Sequence, residues 1–167
     1  MAPRFEELID RHHDELFAYL WRLLGKERRS DVTLEVEDLT QEVFMRAYAA
    51  FPRLREYSNH RAWLYKIATN CAFTKLRRIK SRREKMLALE PSAAARDHSS
   101  IGENTAGRVR ELVNALPVKQ KTCLTLRYLE ELDYPQIAQI VGCTDVSARA
   151  NVYQAIRSLQ RALKEER

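Results

Sequence analysis

The sequence predicts an all-α fold in which two small helical domains are joined by a flexible linker. Apolar residues recur at helical spacing over long stretches, and only four glycines and five prolines interrupt the 167 residues. The periodicity is lost over residues 87–107, which are rich in Ser, Ala, Asn, Gly and Pro, as flexible linkers are. The predicted domains are therefore residues 1–86 and residues 108–167.

Composition and charge narrow the class of protein. The chain is 45% hydrophobic and 31% charged, with a net charge of +6 and a pI of about 9.4. This excess of cations is modest for a nucleic-acid-binding protein, so the positions of the cations indicate more about function than their number. No apolar run is long enough for membrane insertion and no signal peptide opens the chain, so we expect a cytoplasmic protein. Cys71, Cys123 and Cys143 lack metal-ligand spacing, which predicts reduced, buried thiols and no metal or cofactor site.

Two amphipathic helices open the first domain. Residues 5–25 carry an apolar stripe that ends at Gly25, and a polar loop follows over residues 26–31. Residues 36–51 form the second helix, which Pro52 ends. The outward face of this helix is either a solvated surface or a polar docking surface with an exposed methionine. Its residues are Asp38, Gln41, Glu42, Met45 and Arg46.

A strongly basic third helix is predicted over residues 60–85, after a connector of residues 53–59. The helix holds nine Lys and Arg residues against Glu84 as its one acid. Four aromatic residues are interleaved with these cations or precede them: Tyr57, Trp63, Tyr65 and Phe73. Phosphates bind cations and unstacked bases stack on rings, so the pattern favours single-stranded nucleic acid over a basic face that is merely solvated.

The second domain is predicted to end in a helix-turn-helix. Short helices over residues 108–116 and 118–129 come first. Asp133 can cap the next helix, Gly142 permits a sharp turn, and Thr144 or Asp145 can cap the last helix. The last helix has no acid from residue 146 to residue 163, so it can lie in a DNA major groove. A helical hairpin with a solvated basic face is the alternative.

Three runs of residues together resemble a known family. They are DLTQEVFMRAY from Asp38 to Tyr48, RAWLYKIATNCAFTKLRR from Arg61 to Arg78, and NALPVKQKTCLTLRYLEELDYPQIAQIVGCT from Asn114 to Thr144. The chain resembles the bacterial extracytoplasmic-function (ECF, group IV) sigma factors over nearly its whole length except the linker. The resemblance implies a promoter-specificity factor that binds core RNA polymerase, recognises minus-thirty-five and minus-ten promoter elements and promotes DNA melting. It also implies regulation by an anti-sigma factor.

The resemblance assigns roles to residues of both domains. The polar face of the second helix would dock on the β′ clamp coiled coil of core RNA polymerase, and the helix before the helix-turn-helix would sit near the β flap. The predicted minus-ten DNA-binding residues are Arg53, Tyr57, Ser58, Asn59, Arg61, Trp63, Lys66, Asn70, Thr74, Lys75, Arg77 and Arg78. The predicted minus-thirty-five DNA-binding residues are Ser147, Arg149, Asn151, Tyr153, Gln154 and Arg157. Asn151 stands where the family commonly has a phosphate-binding arginine.

Other functions are weighed against this prediction. The sequence shows no nucleophile paired with a base, no phosphate-binding glycine loop and no metal-ligand cluster, so no catalytic residue is predicted and the chain is not expected to be an enzyme. One rival is a sigma-like decoy that binds an anti-sigma protein and never loads on polymerase. The other is a helix-turn-helix repressor that binds an operator without polymerase.

Overall fold

The computed structural model describes residues 4–25, 31–55, 58–89 and 105–165. Within these ranges the chain forms seven α-helices, one short 3-10 turn and no strand. In chain order they are α1 (Phe5–Leu24), α2 (Asp31–Ala50), the 3-10 turn (Phe51–Arg53), α3 (His60–Leu89), α4 (Thr105–Ala115), α5 (Val118–Tyr128), α6 (Tyr134–Val141) and α7 (Asp145–Glu165). The all-α prediction is confirmed.

Several helices extend beyond their predicted bounds. Helix α2 begins at Asp31, and α3 continues to Leu89, because no glycine or proline interrupts the chain before Pro91. Residues 87–89 and 105–107 of the predicted linker are therefore helical, whereas residues 90–104 lie outside the described residues. Most of the predicted polar loop, residues 26–30, lies outside them as well.

The N-terminal half is a three-helix unit in which α1, α2 and α3 pack against one another. Its core residues include Leu8, Leu16, Tyr19, Leu20, Val36, Leu39, Val43, Ala47, Leu64, Tyr65, Ala68 and Ala72. Buried hydroxyl groups in this core are hydrogen-bonded within it. The hydroxyls of Tyr19 and Thr69 are 2.7 Å apart, and Thr69 donates to the backbone carbonyl of Tyr65 at 2.7 Å.

The C-terminal half packs α5, α6 and α7 together, with α4 against α7. Its buried residues include Cys123, Leu126, Leu132, Ile137, Ala138, Ile140, Ala148, Val152 and Ala155. The two halves are also in contact, because α6 lies against α3 and α5 lies against α1. None of the helices in the described ranges combines the length and the apolar character that a bilayer crossing requires.

Tyr65 departs from the prediction that it would be interleaved with exposed cations. Its ring is fully buried and lies 4.9 Å from the ring of Tyr19. Its hydroxyl donates to the Glu130 carboxylate of the C-terminal half at 2.5 Å. The side chain is therefore a core residue with a buried polar partner, and it cannot stack on a base.

Candidate nucleic-acid interface

The helix-turn-helix has capping residues at each of its junctions. Asp133 accepts a hydrogen bond from the Gln136 N–H at 2.9 Å, and the Gln136 side chain accepts one from the Asp133 N–H at 3.2 Å. Helix α6 ends at Gly142, whose φ of 74° is left-handed and whose N–H donates to Ala138. The Thr144 hydroxyl accepts from the Ser147 N–H at 3.2 Å, so Thr144 rather than Asp145 caps α7.

The exposed face of α7 presents one restrained arginine. The guanidinium of Arg149 lies 4.4 Å from the centre of the Tyr134 ring, and the guanidinium of Arg127 lies 4.9 Å from the same centre. Arg127 also donates to the Leu132 carbonyl at 3.0 Å. Tyr134 therefore holds Arg149 at the start of α7 through a cation–π contact.

Two amide side chains of α7 are already hydrogen-bonded within the protein. Asn151 donates to the Ser147 carbonyl at 2.8 Å, and Gln154 accepts from the Gln120 amide at 3.2 Å. Each amide keeps a further N–H and a free oxygen lone pair for another partner. Tyr153 is exposed, with the guanidinium of Arg157 at 5.9 Å from its ring centre.

Helix α3 presents a long basic face. The Asn59 side chain caps the helix by accepting from the Ala62 N–H at 3.0 Å. Every residue from 77 to 89 is exposed, so the cations of that segment face solvent. Lys66 and Asn70 are exposed as well, whereas Lys75 pairs with Glu35 of α2 at 3.7 Å and Thr74 bonds to the Asn70 carbonyl at 2.9 Å.

A cleft of about 500 Å³ opens where α2 passes through the 3-10 turn toward α3. It is lined by Arg46, Ala49, Ala50, Arg53, Leu54 and Trp63. Two guanidiniums and an indole thus border a small apolar floor, which suits a planar aromatic group that carries a phosphate nearby.

The outward face of α2 is exposed as predicted. Arg46 pairs with Glu42 at 2.6 Å, one helical turn away, and Met45 is 73% exposed. Leu34 and Tyr48 are also exposed and, with Asp38, Gln41 and Met45, fall on one stripe at spacings of three and four residues. A row that combines several exposed apolar side chains with polar ones is unusual for a helix face that contacts only water.

The three cysteines are free thiols. Burial raises the pKa of Cys123 to about 12, and it also raises the pKa of Cys71 and of Cys143. Because the thiolate is the reactive form, all three are poor nucleophiles at neutral pH. No group of His, Cys, Asp and Glu in the part of the chain that the structure describes could hold a metal ion.

Comparison with known proteins gives the family. The model of sigma-70 region 2 matches residues 8–83, and that of sigma-70 region 4 matches residues 106–164. The ECF RNA polymerase sigma-E factor of Escherichia coli (strain K12) is 32% identical over 72% of this chain and 70% of the relative. The ECF RNA polymerase sigma factor SigC of Mycobacterium tuberculosis is 31% identical over 81% of this chain and 72% of the relative.

The chain belongs to the ECF sigma factors. Helices α1–α3 form its region two and helices α4–α7 its region four, in agreement with the matched residues. Two solved structures share the fold. The sigma factor RpoE of Bartonella quintana, in complex with the anti-sigma factor NepR, has a TM-score of 0.72, 23% identity and 98% coverage of both chains. CnrH, in complex with the cytosolic domain of CnrY, has a TM-score of 0.67, 20% identity and coverage of 98% and 89%.

The structure of this sigma factor brings some of the predicted residues together and separates others. Arg53 and Trp63 share the cleft, and the cations of α3 from residue 77 onward are exposed around the whole circumference of the helix. Arg61 is engaged elsewhere: it bonds to Glu15 at 3.1 Å and to Glu130 at 3.2 Å. Tyr57 lies outside the described residues.

Four residues with a part in these surfaces or in the contacts behind them were missed from the sequence. Leu34 and Tyr48 extend the α2 stripe, and the helical spacing from Asp38 and Met45 could have revealed them. Tyr134 carries no local signal of its role, because Arg149 lies on another helix. Glu130 carries none either, since its partners lie in region two.

Proposed function

We propose that this ECF sigma factor docks on core RNA polymerase through α2, binds the minus-ten element with the cleft and α3, and reads the minus-thirty-five element with α7. The observation that carries the proposal is the cleft bordered by Arg46, Arg53 and Trp63, the last of which belongs to the same helix as the exposed cations of residues 77–89. A melted strand needs both a site for an unstacked base and cations along its backbone, and α3 would connect the two.

Docking on core polymerase is supported by the stripe along α2. Asp38, Gln41 and Met45 are exposed, and Leu34 and Tyr48 extend their row toward each end of the helix. Protein interfaces are enriched in exposed Met and aromatic side chains within a polar rim. The β′ clamp coiled coil is the proposed partner, with the β flap as the partner of region four.

Melting of the minus-ten element is supported by the chemistry of the cleft. A base that leaves the duplex loses its stacking, and stacking on Trp63 would offset part of that cost. Arg53 would hold a flanking phosphate, and the cations of α3 beyond residue 76 would follow the backbone upstream. Ser58 and Asn59, at the end of the connector, would help to hold the flipped base.

Recognition of the minus-thirty-five element is supported by the exposed face of α7. Arg149 is the proposed base reader, because an arginine can bond to two acceptors of guanine in the major groove and Tyr134 already restrains it. Ser147, Tyr153 and Arg157 are proposed backbone contacts. Asn151 and Gln154 would read bases with the amide groups that their internal hydrogen bonds leave available.

The remaining partners follow from the same proposal. Core polymerase would perform the chemistry, so the chain itself would have no catalytic residue. As a subunit of bacterial RNA polymerase it would work in the cytoplasm. An anti-sigma factor is the proposed regulator, since the sigma factor RpoE, which shares the fold, was solved with the anti-sigma factor NepR.

Run-off transcription with bacterial core RNA polymerase and a promoter library tests the proposal. We expect new start sites that share two spaced elements. The Arg53→Ala variant should lower transcription from duplex promoters at least about fivefold, since one base or phosphate contact contributes roughly 1–3 kcal/mol. A template that is already unpaired at the minus-ten element should restore most of this loss. Arg11→Ala, which removes an exposed cation of α1 that belongs to none of the three proposed surfaces, is the control.

Results of two kinds would contradict the proposal. One concerns the wild-type protein: failure to bind core polymerase at any concentration favours the decoy, and protection of DNA without polymerase favours the repressor. The other is an Arg53→Ala variant that is equally impaired on duplex and pre-melted templates, because the cleft would then have no part in melting.

A further inference from the structure

Glu130 is a buried carboxylate whose partners all come from the other half of the molecule. It lies in the turn after α5 of region four and is 7% exposed. The Tyr65 hydroxyl donates to it at 2.5 Å, Arg22 at 3.1 Å and Arg61 at 3.2 Å. Arg61 also donates to the Glu130 backbone carbonyl at 3.1 Å. These four residues are called the Glu130 clasp below.

A second contact joins the same two regions at the end of α1. The Lys121 ammonium of α5 donates to the Leu23 carbonyl at 3.3 Å and to the Asn114 side chain at 2.8 Å. Asn114 in turn donates to the Gly25 carbonyl at 3.3 Å. The last carbonyls of a helix lack partners within it and carry partial negative charge, so a buried cation suits them. Region four therefore supplies the donors that bind the free carbonyl groups at the C-terminal end of α1.

The clasp depends on one docked arrangement of the two regions. An isolated buried carboxylate is costly, and its cost is offset only when several donors reach it together. Burial and the Glu130 carboxylate raise the pKa of Tyr65, so its hydroxyl stays protonated and remains a donor. Moving region four away would leave Tyr65 without its acceptor and Glu130 without its three donors.

The docked arrangement conflicts with the proposed function. Helix α6 of the helix-turn-helix lies directly on α3, so the helix-turn-helix is held against the helix that carries the proposed minus-ten residues. Minus-ten and minus-thirty-five elements lie more than two turns of duplex apart, which is at least about 70 Å at 34–36 Å per turn. Arg61, a proposed minus-ten contact, is also occupied by a carboxylate where a phosphate would bind.

We propose that the Glu130 clasp is an intramolecular docking site that holds region four on region two in the free sigma factor, and that it must open before both promoter elements are bound. The proposal rests on the proposed function for the surfaces that it closes. In the closed state Glu130 takes the place of DNA on Arg61. Binding to core polymerase separates the regions and exchanges the carboxylate for promoter phosphate.

Small-angle X-ray scattering of the full chain tests the closed state without polymerase. The wild type should fit the scattering calculated from the closed structure. Glu130→Lys, which reverses the charge, should raise the radius of gyration, and Glu130→Gln and Arg22→Ala should raise it less. Glu131→Gln, which changes the exposed neighbour, should leave it at the wild-type value. Arg61 is kept, because it belongs to the proposed DNA site. Circular dichroism confirms that each variant is folded, and if Glu130→Lys is not, the two milder variants decide.

Core-polymerase binding and transcription by the same variants test the consequence. The apparent affinity for core polymerase is the affinity of the open state multiplied by the fraction of molecules that are open. Opening variants should therefore bind core polymerase about tenfold more tightly over most of the salt range. An unchanged radius in the folded variants, or an extended wild type, would overturn the clasp while leaving transcription intact. A raised radius with unchanged core binding would show that the clasp has no regulatory role. Variants that open as expected, together with a wild type that directs no transcription, would overturn the proposed function alone.

Discussion

At the scale of single residues, Arg149 is restrained before any DNA is present. Its guanidinium rests on Tyr134, and Arg127, fixed by the Leu132 carbonyl, rests on the same ring. An arginine that is already ordered loses less side-chain freedom when it binds. Under the proposed function Tyr134 is thus a positioning residue that needs no DNA contact of its own.

Replacing Tyr134 should weaken base reading at one position of the promoter. We expect Tyr134→Leu to lower the preference of the holoenzyme for its best minus-thirty-five element about two- to fivefold, the value of an exposed cation–π contact. The affected base pair should be the one whose preference disappears in Arg149→Ala. Competition between promoter variants in run-off transcription measures it. Tyr134→Phe keeps the ring and is the control; a Phe variant as poor as the Leu variant would show that the ring is not the active feature.

At the scale of elements, the turns before and after α6 both contain a residue in the left-handed backbone conformation, but the two residues differ in type. Gly142 adopts a φ of 74° after α6, and Glu131 adopts a φ of 55° before it. The left-handed conformation is free for glycine and costs other residues about 1–2 kcal/mol. Gly142 was predicted as a turn residue because glycine signals one, whereas Glu131 carries no such signal.

Exchanging residues at these two turns should therefore change stability in opposite directions. Gly142→Ala should lower the free energy of unfolding by about 1 kcal/mol, because no atom lies within 4 Å of the added Cβ and only the backbone is strained. Glu131→Gly should raise it by about 0.5–1 kcal/mol, since it relieves that strain. Urea unfolding measures both. Changes of the same sign in the two variants would contradict this account of the turns.

At the scale of the whole molecule, the two regions are joined by polar groups as well as by apolar packing. The buried apolar residues of both halves form one continuous cluster, and the Glu130 clasp and Lys121 cross the same boundary. A boundary of this kind couples the unfolding of its two sides, because neither side keeps its buried partners when the other unfolds.

Two spectroscopic probes should reveal this coupling. Both tryptophans, Trp21 and Trp63, lie in region two, so their fluorescence follows that region, whereas far-UV circular dichroism follows all the helices. In wild type we expect the two urea transitions to coincide, and in Glu130→Lys we expect them to separate. Transitions that already differ in wild type, or that still coincide in the variant, would show that the clasp does not couple the regions.

The sequence by itself determined the helices, the helix-turn-helix, the exposed basic face of α3 and the outward face of α2. Each of these depends on residues within about four positions of one another, through helical periodicity, capping side chains or a glycine at a turn. The capping of α6 by Asp133 and the burial of Cys123 could be predicted for that reason.

Only the tertiary structure decided what happens between helices. Tyr65 and Arg61 have the same sequence signals as base-binding residues, yet both are bound by Glu130, which lies more than sixty positions away. Tyr134 and Arg149 meet in the same way across the helix-turn-helix. A side chain's neighbours in sequence do not specify a partner at that distance, because the pairing depends on how whole helices pack. The choice between an exposed DNA contact and a buried partner was therefore made by packing and not by local pattern.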